Sequence, residues 1–234
     1  VRLRLYLLSG SWIDLDTVLS NDRYPYLSTR TVVTKSVIGQ YDSFQGVAFD
    51  RGAFFFVNFG ATVLWRWIEG TPSAHQIYAY WSGDHVAAGG GYVFVDKWHS
   101  DLFRLPPDGS RIDTLRRFGL SANIYGMDVD NDTLYVSFGS SLLRFSLDGV
   151  MIDSTAARLG YYLEVERGIA YSVELGREPN PIRRYHLGSR TELPSMLGPV
   201  RDVSGMEVKE GLLYFCDLHR GTLGVVPLAD LRSN

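Results

Sequence analysis

Runs of β-branched and aromatic residues alternate with short polar or glycine-containing turns along most of the chain. Three stretches show the same order of run, polar turn, second run and acidic-glycine turn. They are LYVSFGSSLLRFSLDG at 134–149, VFVDKWHSDLFRLPPDG at 93–109 and FFFVNFGATVLWRWIEG at 54–70. In LWRW the large apolar side chains flank an arginine at period two, which favours strands over helices. The pattern predicts antiparallel strands joined by tight hairpins, and no helix.

A short apolar strand precedes each of these units, and two further units follow them. These short strands are GVAFD at 46–50, HVAAG at 85–89, GMDVD at 126–130, YLEVE at 162–166 and GMEVK at 205–209. Each unit therefore has four strands, A to D, and repeats at about 40 residues, which is typical of the blades of a β-propeller. The sequence predicts an all-β fold in which residues 1–234 form a single β-propeller domain.

The number of blades depends on how the N-terminal residues are interpreted. Residues 5–16, LYLLSGSWIDLD, match residues 134–148 after a short deletion, and TRTVVTKSVIG at 29–39 is placed like an outermost strand. This match favours six four-stranded blades, the first of them incomplete because its A strand would precede Val1. The alternative is five blades, with TRTVVTKSVIG completing the fifth and residues 1–28 as an extension.

Composition narrows the classes of function. The formal net charge is −3 and the isoelectric point is near 6.0. Binding to nucleic acid usually needs a basic excess, so we expect no nucleic-acid partner. The single cysteine, Cys216, excludes an intramolecular disulfide, and its place in the apolar run LLYFCDL predicts a buried, inert thiol. No apolar run approaches the length of a transmembrane segment.

The segment GMDVDNDTLYVSFGSSLLRFSLDG resembles the repeats of the six-bladed propeller group that includes NHL-repeat, YWTD-type and gluconolactonase-like proteins. Asp96 and Asp217 keep the aspartate that typically follows strand B in NHL units. The resemblance implies an exported or surface-associated protein that belongs to a larger assembly. We interpret it as a non-catalytic scaffold or subunit, because no phosphate-binding loop, nucleophile elbow or HExxH motif is present.

The gluconolactonase-like members of this group imply an alternative function, a metal-dependent hydrolase or lactonase. Those enzymes hold a divalent metal at the mouth of the central channel with oxygen ligands. In this chain the residues that would supply such a set are Glu174, Asn123, Asn58 and Asp202. The only cofactor considered is therefore a divalent metal at the channel mouth, and no catalytic residue is assigned.

In propellers the B–C turns and the D–A connections lie on one side, here called the loop face, where binding residues usually lie. One part of this face, around the second and third blades, is unusually dense in imidazole, indole, lysine and carboxylate groups. Its members are Asp84, His85, Asp96, Lys97, Trp98, His99, Asn123 and Tyr125. Aromatic and charged anchors supply most of the energy of interfaces, so we expect this region to contact a protein partner or a polar small ligand.

Three alternatives remain open for these residues. The polar residues after strand B are also typical turn residues that bond to local backbone. His85 is also consistent with a channel-lining histidine bonded to a carboxylate. A partner could instead grip the outer D strand, where Ile77, Tyr78, Tyr80 and Trp81 form an aromatic edge.

Overall fold

Strands and tight turns account for nearly all of the structure, a computed structural model. It describes residues 3–6, 12–15, 30–34, 44–58, 63–78, 83–97, 101–117 and 123–233, and the statements below concern these residues. The 3-10 turn Leu228–Asp230 is the only helical segment within these ranges. The described residues contain no helix that is long and apolar enough to cross a membrane.

The first three strands of the chain belong to two different sheets. β1 (Leu3–Tyr6) and β2 (Trp12–Leu15) pair with each other in a two-stranded antiparallel sheet. β3 (Arg30–Thr34) pairs antiparallel with a strand near the C-terminus. All later strands follow the predicted A-to-D order.

Five four-stranded sheets, blades I to V, make up the rest. Blade I contains β4 (Phe44–Asp50), β5 (Ala53–Asn58), β6 (Leu64–Ile68) and β7 (His75–Tyr78). Blade II contains β8 (Val86–Gly89), β9 (Tyr92–Lys97), β10 (Asp101–Leu105) and β11 (Asp113–Arg117). Blade III contains β12 (Ile124–Asp130), β13 (Thr133–Phe138), β14 (Ser141–Ser146) and β15 (Met151–Ala156).

The last two blades complete the set. Blade IV contains β16 (Tyr161–Glu166), β17 (Ile169–Val173), β18 (Pro181–His186) and β19 (Thr191–Leu197). Blade V contains β20 (Val203–Lys209), β21 (Leu212–Asp217) and β22 (Thr222–Pro227), with β3 as its outermost strand. The predicted all-β propeller and its inner strands are therefore confirmed.

The ring closes after five blades, so the preference for six blades was wrong. The inner strands contact one another in cyclic order, and β20 of blade V contacts β4 of blade I. The segment assigned to the outer strand of an incomplete first blade, TRTVVTKSVIG, instead supplies β3 to blade V. This is the five-blade alternative. The stretch matched at residues 5–16 includes parts of β1 and β2, which pair with each other in a separate two-stranded sheet.

Both faces of each blade are buried, which explains why the strands are apolar over consecutive positions. Side chains alternate across a strand, so Phe54 and Phe56 of β5 pack toward blade V while Phe55 and Val57 pack toward blade II. Each of the five hydrophobic clusters draws its members from two adjacent blades. The core is thus a ring of interfaces between blades, and the stability of each blade depends on its neighbours.

The junction between blades V and I is the one that joins the two ends of the chain. Val33 of β3 is buried there with Cys216 and Leu223 of blade V and Phe44 of blade I. Cys216 is a free, buried thiol, as predicted, and its burial raises its pKa. β3 therefore closes the ring through apolar packing as well as through backbone pairing.

Removing the buried methyl groups of Val33 tests this closure. We expect Val33→Ala to lower the free energy of unfolding by about 2 kcal/mol, since it leaves a cavity between blades V and I. Thr31→Ser, at an exposed position of the same strand, should change it by less than about 0.5 kcal/mol. Urea denaturation measures both. Equal effects of the two substitutions would contradict a closing role for β3.

Candidate functional site

Three carboxylates meet at the propeller axis. The inner strands of blades III, IV and V carry an acid at the same position of the repeat, the third residue of GMDVD, YLEVE and GMEVK. These acids are Asp128, Glu164 and Glu207, and all three are buried. One oxygen atom from each lies within 4.8 Å of the others. Three carboxyl groups are therefore held close together inside the ring.

Each of these carboxylates accepts a backbone hydrogen bond from the inner strand of the next blade. The N–H of Val165 donates to Asp128 at 2.7 Å, and the N–H of Val208 donates to Glu164 at 3.3 Å. The N–H of Phe49 donates to Glu207 at 3.1 Å, which links blade V to blade I. The acids thus tie blades III, IV, V and I together in sequence around the axis.

Burial makes ionisation of the cluster unfavourable. Loss of hydration raises the pKa of Asp128 to about 7, although two backbone N–H groups oppose the shift. Burial, followed by the nearby charge of Asp128, raises the pKa of both Glu164 and Glu207 well above the ordinary range. Near neutral pH the cluster therefore holds protons unless a cation replaces them.

Among the described residues, Asp128, Glu164 and Glu207 are the acidic, histidine or cysteine side chains that lie close enough together to hold a metal ion. Its hard oxygen ligands suit Ca²⁺ or Mg²⁺. Glu174 and Asp202, the two acids among the ligands that the sequence suggested, are not part of this group. Glu174 accepts a hydrogen bond from Arg183 at 3.1 Å, Asp202 lies 3.6 Å from His219, and Asn123 is exposed. The side chain of Asn58 lies outside the described residues.

The space on the axis beside this cluster is small. A cavity of about 10 Å³ is lined by His85, Met127, Tyr162, Glu164 and Met206, together with neighbouring backbone. That volume holds about one water molecule. The ring of His85 lies 5.7 Å from that of Tyr162, between centroids, and burial raises the pKa of Tyr162. This cavity is therefore too small for any ligand larger than water.

Two of the residues proposed for partner contact, His85 and Asp96, are buried together below the loop face. One oxygen of Asp96 accepts the backbone N–H groups of Asp84 at 3.1 Å and of His85 at 2.8 Å. Its other oxygen lies 3.4 Å from the ring nitrogen Nδ1 of His85. Asp96 thus fastens the start of β8 to the end of β9.

The connection into blade II fits only a glycine at Gly83. A Cβ atom there would lie 1.8 Å from the backbone oxygen of Asp96. The chain therefore passes directly against the end of β9 before it enters β8.

The remaining residues of the predicted region differ in exposure. Asp84, Lys97 and Tyr125 are half-buried and Asn123 is exposed. Tyr125 packs edge-to-face against Tyr161 of blade IV, with 5.0 Å between ring centroids. Trp98 and His99 lie outside the described residues, as do Tyr80 and Trp81 of the alternative aromatic edge. The described part of the region therefore offers polar groups beside a pair of tyrosines.

A larger groove lies further along the loop face, between blades III and IV. It has a volume of about 310 Å³. Its lining includes Arg158 and Leu159, which follow β15, Glu174 at the end of β17, and Arg183 and Arg184 of β18. Arg158 and Arg183 therefore border one concave surface together with the acids Glu174 and Glu192.

The in-register arginines of strand C serve structural roles in blades II and III. Arg104 pairs with Asp148 of the next blade at 2.7 Å and stacks over Tyr92 at 4.5 Å. Arg144 pairs with Asp153 of its own blade through two hydrogen bonds. These two arginines therefore have packing and pairing roles, and the Nε of Arg184 in blade IV donates to the backbone oxygen of Pro194 at 2.8 Å.

Sequence reasoning missed the axial carboxylates and the groove. The signal for the first was visible, because the acids occupy the same position in three of the repeats. Finding them as a cluster required knowing that this position points toward the next blade. The groove depends on Arg158 and Arg183, which are distant in sequence and carry no motif.

Comparison with solved structures shows the same fold. The chain is similar to the glutaminyl cyclase of Myxococcus xanthus, with a TM-score of 0.64, 15% identity and coverage of 89% of this chain and 97% of that one. It is similar to a chain of a nidogen/laminin complex, with a TM-score of 0.58, 14% identity and coverage of 80% and 76%. A luciferin-regenerating enzyme gives a TM-score of 0.59 and 11% identity, over 86% and 77%.

These likenesses define a class of protein, the β-propellers, and nothing narrower. No family model matches the chain, and no curated protein sequence matches it. At such low identity the similarity reports the arrangement of blades. The matched structures include two enzymes and a chain from a protein complex, so they do not distinguish an enzyme from a binding protein.

The protonated state of the axial cluster predicts a pH dependence of stability. A carboxyl group whose pKa is raised on folding stabilises the fold fully below its unfolded pKa, and this contribution is lost as pH rises through the folded pKa. For Asp128 the window runs from about 4 to about 7. The free energy of unfolding of the wild type, relative to Asp128→Asn, should therefore fall between these pH values.

Urea denaturation of both proteins at a series of pH values from 4 to 8 measures this difference. Asp132→Asn is the control, because Asp132 is exposed; its difference from the wild type should stay flat. A flat profile for Asp128→Asn would show that the Asp128 carboxyl titrates normally in the folded ring.

Proposed function

We propose that this propeller is a binding module that contacts a protein or a polar ligand through its loop face around blades II and III. The observation that carries the proposal is the tyrosine pair Tyr125 and Tyr161, half-buried and set beside exposed Asn123. Tyrosine provides a large apolar ring and a hydroxyl at a small entropic cost, which is why it is frequent at recognition sites.

The predicted contact residues divide into two roles under this proposal. Asp84, Lys97, Asn123 and Tyr125 contact the partner, together with Trp98 and His99 of the B–C turn. His85 and Asp96 are buried under the loop and hold it in position. They lie against each other, and Asp96 accepts hydrogen bonds from two backbone N–H groups. A loop held this way loses little entropy on binding, so more of the contact energy becomes affinity.

One matched structure supports a binding role by analogy. That structure is a complex between nidogen and laminin, so a chain of similar fold occurs in a protein assembly. A subunit of a larger assembly would use the fold in the same way. The axial cavity of about 10 Å³ also favours contact at the surface over binding inside the ring.

A metal-dependent hydrolase is the second candidate. Its favouring observation is the cluster of Asp128, Glu164 and Glu207, whose oxygen atoms suit a divalent cation. The cluster lies beneath His85 and Tyr162, however, where the cavity is too small for a substrate. A structure with a divalent ion bound at the loop face by Asn123, Glu174 or Asp202 would favour this candidate over the binding module.

A random peptide display library tests the binding module without a known partner. Peptides selected on the immobilised wild-type propeller should lose at least about tenfold in affinity on Tyr125→Ala, since anchors of this kind contribute at least about 1.4 kcal/mol. Lys97→Ala should weaken those peptides that carry acidic residues. Surface plasmon resonance of single peptides against each variant gives the affinities.

The matched control is Lys209→Ala, at an exposed lysine at the opposite end of an inner strand. It removes the same charge and should leave peptide affinity unchanged. Thermal melting of each variant checks that folding is intact. Selected peptides that resist Tyr125→Ala and Lys97→Ala, or that are lost on Lys209→Ala, would contradict the loop face as the binding surface.

A further inference from the structure

At one level of the propeller axis, three inner strands carry a glycine and two carry a ring side chain. This level is the first residue of GVAFD, HVAAG, GMDVD, YLEVE and GMEVK, namely Gly46, His85, Gly126, Tyr162 and Gly205. A Cβ atom at Gly126 would lie 2.2 Å from the backbone nitrogen of Leu163. One at Gly205 would lie 2.6 Å from the backbone nitrogen of Gly46. Close contact between the strands therefore requires these glycines, and only blades II and IV place side chains on the axis at this level.

The two ring side chains close the axis toward the loop face. Tyr162 has a φ of 57°, a conformation that is rare for a bulky residue and is maintained only where the surrounding structure enforces it. Its hydroxyl shares a hydrogen bond with the side-chain amide of Gln45, so the side chain reaches across the axis from blade IV to blade I. The ring of His85 lies 5.7 Å from that of Tyr162, between centroids. His85 and Tyr162 thus form a floor across the axis.

Two further tyrosines stand beside this floor. Tyr161 precedes Tyr162 in the chain, and their ring centroids are 6.3 Å apart. Tyr125 lies 5.0 Å from Tyr161 with an angle of 67° between the ring planes. Tyr125 and Tyr161 are only half-buried, so parts of both rings are accessible to a ligand. The face of a tyrosine ring carries a partial negative charge that attracts cations.

Two carboxylates lie near the same floor. Asp84 directly precedes His85, Asp202 belongs to the connection into blade V, and both are half-buried. Burial is the largest cause that raises the pKa of Tyr162, and the negative charges of Asp84 and Asp202 raise it further. Both carboxylates are therefore close to the side chain of Tyr162. The groups gathered here, tyrosine rings and carboxylates, all favour a positive charge.

We propose that this end of the axis binds the cationic group of a ligand, an ammonium or a guanidinium. The binding surface, here called the axial mouth, consists of the floor residues His85 and Tyr162 with Asp84, Tyr125, Tyr161 and Asp202. The cation contacts the accessible tyrosine rings and is neutralised by the carboxylates. The inference rests on the proposed binding function, because Asp84 and Tyr125 belong to the same loop face, and it names the chemical group that the partner contributes.

Titration of the isotope-labelled full chain, followed by nuclear magnetic resonance, tests the proposal at constant ionic strength. The probes are Nα-acetyl-lysine methylamide and Nα-acetyl-arginine methylamide, which carry the two kinds of cation on the same backbone. At least one probe should shift the amide signals of Asp84, Tyr125 and Tyr161 in a saturable way. Nα-acetyl-glutamine methylamide, which is neutral, should leave these signals in place at the same concentrations.

Substitutions separate the contribution of the rings from that of the acids. Tyr161→Leu keeps an apolar side chain but removes the ring, so it should weaken binding about threefold, whereas Tyr161→Phe keeps the ring and should preserve binding. Asp84→Asn and Asp202→Asn each remove one charge and should each weaken binding about threefold. Signals of amides far from the axial mouth show whether each variant is folded.

Asp132→Asn is the matched control for the acids, since Asp132 is exposed in the A–B turn of blade III, at the opposite end of the inner strands. It should leave both titrations unchanged. Saturation by the lysine probe alone or the arginine probe alone supports the site and identifies the cation. The proposal is overturned if neither probe saturates, if the neutral probe shifts the same signals equally, or if Asp132→Asn weakens binding as much as Asp84→Asn.

The outcome is separable from that of the peptide selection. Peptides that depend on Tyr125, with no binding of either cationic probe, would leave the binding module intact and remove the cation site. Saturable binding of a cationic probe with no peptide selected at Tyr125 would support the axial mouth and contradict the loop face as a protein-binding surface.

Discussion

Buried carboxylates that accept backbone N–H groups from a neighbouring blade hold the centre of this propeller together. Asp128, Glu164 and Glu207 each reach from one inner strand to the next. An inner strand is paired on one side only, so its other side presents polar backbone to the axis. Because an unsatisfied buried N–H is costly, these acids stabilise the junctions as well as connecting them.

This arrangement constrains where the protein can act. The cavity between the inner strands that His85, Tyr162 and Glu164 line has a volume of about 10 Å³, which holds about one water molecule. The binding surface that we propose lies instead on the connections of the loop face, which the blades hold in position. The buried pair of His85 and Asp96 shows how this is done, with a turn carboxylate bonded to the start of the adjacent inner strand.

The sequence was sufficient to predict the blades but not their number. The four-strand unit appears as a local pattern, since alternation and acidic-glycine turns are short-range features. Blade count is decided by contacts between distant segments, β20 with β4 and β22 with β3. The hairpin at residues 5–16 resembles part of a blade because any antiparallel hairpin has the same alternation. Nothing in the amino-acid sequence of residues 5–16 shows whether this segment joins the ring.

The candidate functional site could also be predicted only in part. The sequence predicted that Asp84, His85, Asp96 and Lys97 lie in one region, because they occur in one short stretch of the chain at the same end of a single blade. It could not show that Asp96 and His85 are buried, since burial depends on how the connection crosses the end of β9. The axial acids could be recognised in the sequence, because they occupy the same position in three of the repeats. Their clustering follows from the ring geometry, which places the same position of successive blades around one axis.

Native-state hydrogen exchange of the inner-strand amides tests the central account most directly. The amides of Phe49, Val165 and Val208 donate to buried carboxylates and should exchange only on global unfolding. The equivalent amide of Ala88 should exchange faster, because the preceding blade offers Ala48 in place of an acid. In Asp128→Ala the protection of Val165 should fall while that of Phe49 persists. Exchange of Phe49, Val165 and Val208 at the rate of loop amides would contradict the claim that these acids link the blades.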